Sequence, residues 1–289
     1  MKLTGKELLV FFAVAFVFAL VQAKGLASIS PGDENTYFYM AKEISEGQLP
    51  YRDFFYAHPP LHILILSIIV GIFGINFVAL KSATLIAILA SSFFVYKISL
   101  EIFKNRFKDQ NYLAASLISL LLYLFSFDIL FKGTFSIGIE FSLMFLQISF
   151  YLFLTHRHFL GGIFAGLAGL TRFYTIPVIF ALLVFMAIKK IQERKIKDVM
   201  HFLLGFSLTF IFVIGALVLI FGDKFTEPVF TYHLLKTKLP GQRNMVYKIV
   251  LQNNWTLLLA FTSSLFIKNK KTPFNGSVYW LSSTHLSSA

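Results

Sequence analysis

The segment from Gly32 to Leu61 has the sequence GDENTYFYMAKEISEGQLPYRDFFYAHPPL, which is the longest polar interruption in a chain of otherwise apolar runs. The runs on both sides of it consist almost entirely of apolar residues and have the length of membrane helices. Acids, bases and prolines at this density cannot lie in the hydrocarbon of a bilayer without partners. We therefore expect a first external loop at residues 24–60, with membrane helices before and after it.

The composition of the whole chain indicates the same class of protein. Its 289 residues are 57% hydrophobic and 14% charged, with a mean hydropathy of +0.73, which is more apolar surface than a soluble domain can bury. We predict an all-α integral membrane protein, a polytopic helix bundle with about 7–9 membrane segments.

The net charge of +12 is concentrated in short segments between apolar runs. Basic residues in such positions set the orientation of a membrane protein, so the partner they indicate is the lipid bilayer and not a nucleic acid. The absence of cysteine excludes disulfides, thiolate metal sites and a cysteine nucleophile. No metal site is predicted, because His156-Arg157-His158 offers neither ligand spacing nor a third ligand.

The first apolar run, Leu8 to Ala23, follows Lys2 and Lys6, which hold the N-terminus inside and place the next loop outside. We expect a multi-pass protein of the plasma membrane of a prokaryote, with its functional site facing outward. Val21-Gln22-Ala23 also has the form of a signal-peptidase site, so a cleaved signal sequence is the alternative to an uncleaved first helix.

A short helix is predicted inside the first external loop. Ser30-Pro31-Gly32-Asp33 is typical of a helix start, with serine as the cap and proline at the first helical position. The helix is expected to end near Gly47, and its apolar stripe includes Tyr37 and Ile44. About fifteen residues are too few to cross a bilayer, so we predict an amphipathic helix on the membrane surface. Asp33 would then face the lipid headgroups; its alternative role is that of a capping carboxylate.

An ordered set of residues in this loop carries a resemblance to a known family: Asp33-Glu34, Tyr37, Ala41, Gly47, Pro50-Tyr51, Asp53 and His58-Pro59-Pro60-Leu61. The set resembles the first external loop of the polyprenyl-phosphate-sugar glycosyltransferases of the GT-C fold, in particular the protein mannosyltransferase and aminoarabinose transferase group (glycosyltransferase family 39-like). The resemblance implies an enzyme that transfers a sugar, with inversion, from a polyprenyl-phosphate-linked donor to a protein, lipid or glycan acceptor on the outer face. Aminoarabinose enzymes often carry a basic residue where this chain has Thr36, so the contacts of that base do not transfer.

The resemblance also implies roles for residues of the loop. Asp33 is matched to the catalytic base that takes a proton from the acceptor, and Glu34 either supports it or faces water. Tyr37 belongs to the same motif and is assigned to substrate binding. His58 is assigned to donor binding, with packing and hydrogen bonding as its alternative role.

Three residues beyond the loop complete the candidate site. Lys81 follows Phe73-Gly74 and an aromatic-alanine pattern, and the resemblance implies that it binds donor phosphate; alternatively it snorkels to the interface. Arg172 ends a glycine-rich segment of the family type and is matched to a base that holds lipid phosphate; alternatively it pairs with Glu140 or with backbone carbonyls. Glu140, expected about 9 Å inside its helix, is assigned to substrate binding as an intramembrane carboxylate, and its alternative is a helix-packing hydrogen bond.

The topology of residues 61–110 presents a conflict. Leu61 to Leu80 and Ser82 to Leu100 are two apolar runs separated by Lys81, whereas the basic segment 104–108 marks the next loop as inside. Two full crossings would place this basic loop outside. Either the first run dips into the membrane and returns, or the charge rule fails here.

The apolar run at residues 159–188 has basic flanks on both sides and is too short for two full crossings. We therefore predict a pair of short helices that are broken near Arg172 and Pro177. Four glycines of this run predict close helix packing: Gly161, Gly162, Gly166 and Gly169.

We assign residues 1–271 to a GT-C-like catalytic module, with a second external loop at 222–248 and an unstructured or aberrant tail at 272–289. Enzymes of the group usually continue through further helices, so we expect the front portion of a longer enzyme and leave its own activity open. No cofactor is assigned, and a requirement for a divalent metal is left open. The alternatives to a transferase are a transporter or flippase for a lipid-linked substrate, which no inverted repeat supports, and an inactive membrane subunit.

Overall fold

A computed structural model describes residues 3–28, 32–106, 111–192 and 195–235, together with residues 245, 248, 249, 251–253 and 255. The long helices are α1 (Gly5–Leu26), α2 (Asp33–Ser45), α3 (Leu61–Phe73), α4 (Phe77–Arg106), α5 (Asn111–Leu124), α7 (Ile139–Leu154), α8 (His158–Thr171), α9 (Ile176–Gln192), α10 (Ile196–Phe206) and α11 (Phe212–Phe221). The short ones are α6 (Phe127–Lys132), α12 (Asp223–Thr226) and α13 (Tyr232–Leu235), and a 3₁₀ turn and two π-helical turns occupy Phe173–Thr175, Ser207–Ile211 and Glu227–Thr231.

The described part of the chain is a bundle of apolar helices without a β-strand, as predicted, apart from an isolated bridge between Pro50 and Phe54. Three helical stretches are long and apolar enough to cross a membrane: Gly5–Leu26, Phe77–Lys104 and Ile196–Phe221. Five shorter apolar helices accompany them: Leu61–Phe73, Tyr112–Leu124, Ile139–Leu154, His158–Thr171 and Phe173–Ile188. The fold class predicted from composition is confirmed.

Contacts at the helix ends define two opposite ends of the bundle. Glu7 at the start of α1 forms an ion pair with Lys104 at the end of α4, so these two helices are antiparallel. At the other end of α1, Gln22 Nε2 donates a hydrogen bond of 3.0 Å to the Leu130 carbonyl. We call the end that contains Glu7 and Lys104 the basic end, and the end that contains α2 and residues 46–60 the site end. Through these contacts, and through the fully buried Phe18, α1 is an element of the bundle.

The chain breaks between α3 and α4, at residues 74–76. The chain turns at Gly74, whose φ is +67°, and Asn76 Oδ1 accepts a hydrogen bond from the Ala79 N–H in the first turn of α4. Lys81 therefore lies inside a single 30-residue helix, and the prediction that it separates two apolar runs was wrong. Glycine in a positive-φ conformation ends a helix, whereas a lysine does not.

Helix α3 belongs to the site end and packs along α2. Its 13 residues span only about 20 Å, less than the roughly 30 Å of bilayer hydrocarbon. Ile63, Leu66 and Val70 share one core with the buried face of α2 and with Leu80 at the start of α4. Within residues 61–106, α4 is the helix that runs from the site end, where Lys81 pairs with Glu34, to the basic end, where Lys104 pairs with Glu7.

Helices α7 to α10 pack around another core, whereas α11 and the segment after it pack against the core of α2 and α3. The predicted break between two short helices is confirmed, because α8 ends at Thr171, Arg172 is extended and α9 begins at Ile176. Close packing at the glycines is also confirmed: a Cβ on Gly162 would collide with the Phe202 carbonyl oxygen of α10. This close approach holds α8 in place, and α8 ends at the site end beside Arg172.

Two local predictions at helix starts were wrong. Glu140 lies in the first turn of α7 and not about 9 Å inside a helix, because Gly138 adopts a φ of +85° and begins the helix only at Ile139. Helix α2 begins at Asp33 with Gly32 as its N-cap and without a side-chain capping bond. Ser30 and Pro31, the predicted cap and first turn, lie outside the described residues, as do the tail at 272–289 and much of the second external loop beyond Leu235.

Candidate active site

Helix α2 presents two different faces to the protein. Glu34, Phe38 and Ala41 follow helical spacing and are buried, which docks this face on α3 and α4. Asp33 and Tyr37, one turn apart, line a cavity next to that face. The amphipathic pattern therefore aims one acidic residue at the cavity and the other at the protein interior.

The segment that follows α2 is held by aromatic packing. Tyr51 has a φ of +71°, a conformation that is strained for a bulky side chain, and is only 5% exposed. Its hydroxyl donates a hydrogen bond of 2.7 Å to the His58 carbonyl, and its ring meets Tyr56 and Phe225. Burial raises the pKa of the Tyr51 phenol, which therefore stays neutral and remains a donor. These contacts fix the backbone of His58 at the cavity wall.

The cavity at the site end has a volume of about 550 Å³. It brings together four of the residues proposed from the sequence: Asp33, Tyr37, His58 and Arg172. The remaining wall is mostly apolar or aromatic and consists of Ala57, Pro59, Ile137, Ile139, Phe173, Tyr174, Val229, Phe230, His233 and Leu234. The cavity thus joins four parts of the chain: residues 33–59, the turn before α7, the turn after α8 and the segment after α11.

Arg172 is the cation of this cavity and is only 5% exposed. Its Nη2 donates to the Ile137 carbonyl, which is the backbone pairing considered from sequence, and its Cζ lies 5.2 Å from the centre of the Tyr37 ring. Its Nε has no hydrogen-bond partner within the described ranges. A buried guanidinium with donors to spare, at the wall of a cavity, is suited to binding an anion.

His58 and His233 close the cavity on the side of the loop. Their rings stack with centroids 5.4 Å apart, and a His233 ring nitrogen lies 2.7 Å from the Ala57 carbonyl oxygen. His58 also packs edge-on against Tyr37 and Tyr56. The structure thus gives His58 the packing contacts considered as its alternative role, and it also places His58 at the cavity surface.

Glu34 and Lys81 do not line the cavity and pair with each other instead. Lys81 Nζ lies 3.0 Å from Glu34 Oε2, and the Ser136 N–H donates a hydrogen bond of 2.7 Å to Glu34 Oε1. The exposed fractions of the two side chains are 0% for Glu34 and 2% for Lys81. Glu34 does not face water, and Lys81 does not snorkel out of the protein.

Glu140 and His62 are buried behind the cavity. Glu140 is 4% exposed and its Oε2 has no hydrogen-bond partner in the described structure. His62 is fully buried, with its ring 5.2 Å from that of Tyr37. A Cβ on Gly138 would contact both His62 and Arg172, so the turn before α7 approaches the site through a glycine. The sequence analysis did not propose His62, because the sequence does not show which distant residues surround a histidine inside an apolar run.

Other members of the cavity wall were also missed. His233 belongs to the aromatic and basic stretch after α11, which the sequence left unassigned, and Tyr174 follows Arg172 in the turn before α9. Aromatic residues are common near membrane interfaces. The aromatic content of a segment therefore did not distinguish residues of the cavity wall from residues that anchor the protein at the interface. Among the described residues, no group of three or more acidic or histidine side chains is placed to hold a metal ion.

Comparisons with known proteins give one match. The family described as dolichyl-phosphate-mannose-protein mannosyltransferase matches residues 57–219, which is more than half of the chain. The matched range contains His58, Lys81, Glu140 and Arg172 and begins after Asp33. Comparison with curated proteins and with solved structures finds no match.

Proposed function

Because the chain belongs to the dolichyl-phosphate-mannose-protein mannosyltransferase family, we propose that this membrane glycosyltransferase takes its sugar from a polyprenyl-phosphate carrier. The acceptor is a hydroxyl or an amine of a protein, a lipid or a glycan. The observation that carries the proposal is the cavity of about 550 Å³, in which a carboxylate and a buried guanidinium occupy the same apolar-walled space.

Arg172 supports the donor half of this proposal. Displacement of a sugar from a polyprenyl phosphate leaves a phosphate whose charge increases as the bond to the anomeric carbon breaks. A guanidinium buried at 5% exposure stabilises such charge more strongly than one in water. The apolar rim of the cavity, which includes Tyr174, Phe230 and Leu234, is suited to the first isoprene units of the carrier.

Asp33 supports the acceptor half. It is exposed on the first turn of α2 and lines the cavity, so its carboxylate is open to an incoming hydroxyl or amine. In the proposed step the acceptor atom attacks the anomeric carbon, the bond from this carbon to the phosphate oxygen breaks, and the acceptor proton passes to Asp33. Polyprenyl phosphate leaves, and the configuration at the anomeric carbon is inverted.

Tyr37 and His58 complete the proposed site as binding residues. Tyr37 lies between Asp33, one helical turn away, and the Arg172 guanidinium over its ring. His58 stands beside Tyr37 and is held by its backbone bond to Tyr51. We propose that this end of the bundle faces the outside of a prokaryotic plasma membrane, because the basic segment at residues 104–108 begins with Lys104, which lies at the other end.

Incubation of membranes that contain the full chain with a labelled polyprenyl-phosphate sugar and a mixture of acceptors tests the proposal. We expect the label to move from the carrier to an acceptor. Movement of the intact carrier across the bilayer without cleavage would replace the transferase with a flippase. If the label is not transferred and the carrier does not move across the bilayer, the chain is an inactive subunit.

A further inference from the structure

Glu34 follows the proposed base directly in sequence, yet it has a different environment. Both of its carboxylate oxygens are engaged, one with Lys81 Nζ at 3.0 Å and one with the Ser136 N–H at 2.7 Å. The carboxylate is fully buried, and neither it nor Lys81 lines the cavity. A proton acceptor must reach its substrate, so Glu34 is not placed to act as a second base.

The contacts of Glu34 connect three elements of the site end. Glu34 is the second residue of α2, Lys81 lies in the second turn of α4, and Ser136 belongs to the turn before α7. The residue after Ser136 is Ile137, whose carbonyl accepts the hydrogen bond from Arg172. One dipeptide therefore links the carboxylate of Glu34 to the guanidinium of the cavity.

We propose that Glu34 and Lys81 are positioning residues of the transfer reaction. Their ion pair holds the first turn of α2 in place. The Ser136–Ile137 dipeptide forms hydrogen bonds with both Glu34 and Arg172, so it fixes the position of Arg172 relative to that turn. The base and the phosphate-binding cation thereby face the same cavity. This inference rests on the proposed function and gives Glu34 and Lys81 a role other than proton transfer or phosphate binding.

The pair acts at the start of α2, where no side chain caps the helix. Its N-cap, Gly32, makes no side-chain capping bond and has a φ of +140°. Neighbouring residues on a helix point about 100° apart, so fixing the direction of Glu34 also fixes that of Asp33. A shift of about 1 Å in a catalytic group can lower the rate about 10²-fold, so a mobile first turn of α2 would slow the transfer reaction strongly.

Because Lys81 is paired with Glu34, it is not available to bind a ligand. To bind a phosphate in the cavity, Lys81 would have to leave a carboxylate that is 0% exposed, and that charge would remain buried without a partner. Arg172, by contrast, has a donor without a partner in the described structure and already lines the cavity. The geometry favours Arg172 as the phosphate ligand and Lys81 as its support.

The first test compares Glu34→Gln, Lys81→Met and the double variant in the transfer assay. Each single variant leaves one buried charge unpaired, and we expect kcat to fall about 10²-fold with the KM for the donor nearly unchanged. The double variant removes both charges and should recover about tenfold over either single one. If Lys81 binds phosphate, its loss raises the donor KM and the double variant recovers nothing, which would overturn the proposal.

A matched control lies on the same helix. Lys42 and Glu46 form an exposed ion pair of 2.7 Å on α2, outside the cavity. Lys42→Met with Glu46→Gln should leave kcat and KM within about twofold of the parent, since exposed pairs contribute little. A loss in this control equal to that of the buried pair would show that any change on α2 impairs transfer.

The second test needs no enzymatic activity. The chain has no cysteine, so Ser136→Cys introduces a single thiol at a fully buried side chain while the Ser136 N–H is kept. We expect a membrane-impermeant maleimide to label this thiol at least about tenfold faster when Glu34→Gln or Lys81→Met is added. Equal labelling in all backgrounds would overturn the inference. Absence of transfer in the parent chain would overturn the proposed function, and the labelling would still decide whether the pair holds these elements together.

Discussion

The two ends of the bundle both contain buried charges, and they differ in how these charges are compensated. At the basic end Glu7 pairs with Lys104, and Asp198 on α10 serves two partners at once. Its Oδ2 lies 2.9 Å from Lys190 Nζ and 3.1 Å from the Nε2 of His158. These pairs join helix ends, and each buried charge among them has a partner of opposite sign.

At the site end, the Glu34–Lys81 pair follows the same rule, whereas Arg172 and Glu140 form no ion pair with another described residue. Arg172 Nε and Glu140 Oε2 lack hydrogen-bond partners within the described part of the chain. A buried polar group without a partner costs roughly 1–3 kcal/mol, and more when it is charged. Buried atoms without a hydrogen-bond partner occur at both ends, with His158 Nδ1 as an example at the basic end, so the two ends differ in ion pairing and not in hydrogen bonding.

The largest expected effect comes from Asp33→Asn. The amide keeps the shape of the side chain but cannot take the acceptor proton, so we expect transfer to fall by about 10²–10⁴-fold. Membrane insertion and thermal stability should not change, because Asp33 is exposed. Initial rates with labelled donor, normalised to the amount of inserted protein, measure the effect, with Glu46→Gln on the same helix as the control. Turnover near that of the parent would remove Asp33 from the mechanism.

A smaller loss is expected from substitutions of Arg172. Arg172→Met removes the buried cation and should lower kcat/KM for the donor by about 10²-fold, since a hydrogen bond to a charged group contributes about 1.5–3 kcal/mol. Arg172→Lys keeps the charge but loses the planar fork and its stacking on Tyr37, and we expect about a tenfold loss. Donor titrations measure both. Arg52→Lys, at an exposed position, is the control, and an unchanged donor KM in Arg172→Met would contradict the assignment.

Removal of one charged side chain at the basic end should lower the free energy of unfolding and leave the rate of sugar transfer unchanged. Asp198→Asn leaves Lys190, which is 2% exposed, without its carboxylate partner. We expect a loss of roughly 1–3 kcal/mol in the free energy of unfolding, less than for a fully buried pair because Asp198 is 27% exposed. Thermal unfolding in detergent gives the stability, and kcat/KM of the folded fraction should stay within about twofold. A selective loss of kcat would mean that both ends take part in catalysis.

The smallest effect is expected in the loop beside the site. The hydrogen bond from Arg52 lowers the pKa of Asp53 from 3.8 to about 2, with further help from the Leu49 N–H. A lowered pKa means that the ionised carboxylate stabilises the loop above about pH 4 and loses this contribution as the pH falls toward 2. Pepsin should therefore cleave residues 49–55 faster at pH 2 than at pH 4 when each rate is divided by the rate of cleavage of an unstructured reference peptide at the same pH, which removes the pH dependence of pepsin itself. Asp53→Asn should remove that pH difference, and a difference that persists would assign it to another group.

The sequence alone determined the class of the protein, and it predicted four residues that line one cavity in the structure. Continuous apolar runs of about 20 residues predict membrane helices, because a helix satisfies the backbone groups within each run. The order of acids, aromatics and prolines in residues 32–61 predicted a loop between apolar helices, and the basic residue at a break in the apolar pattern predicted that Arg172 belongs to the candidate site. These signals are local, so a sequence displays them directly.

The tertiary structure decided which of these residues meet. Asp33 and Glu34 are neighbours in sequence, but only the docking of α2 on α3 and α4 separates one that lines a cavity from one that is buried against Lys81. Gly74 and Gly138 set the helix breaks through their positive φ angles, which placed Lys81 and Glu140 differently from the prediction. Contacts between distant segments, such as that of Ser136 with Glu34, depend on how whole helices pack, and periodicity within one helix does not contain that information.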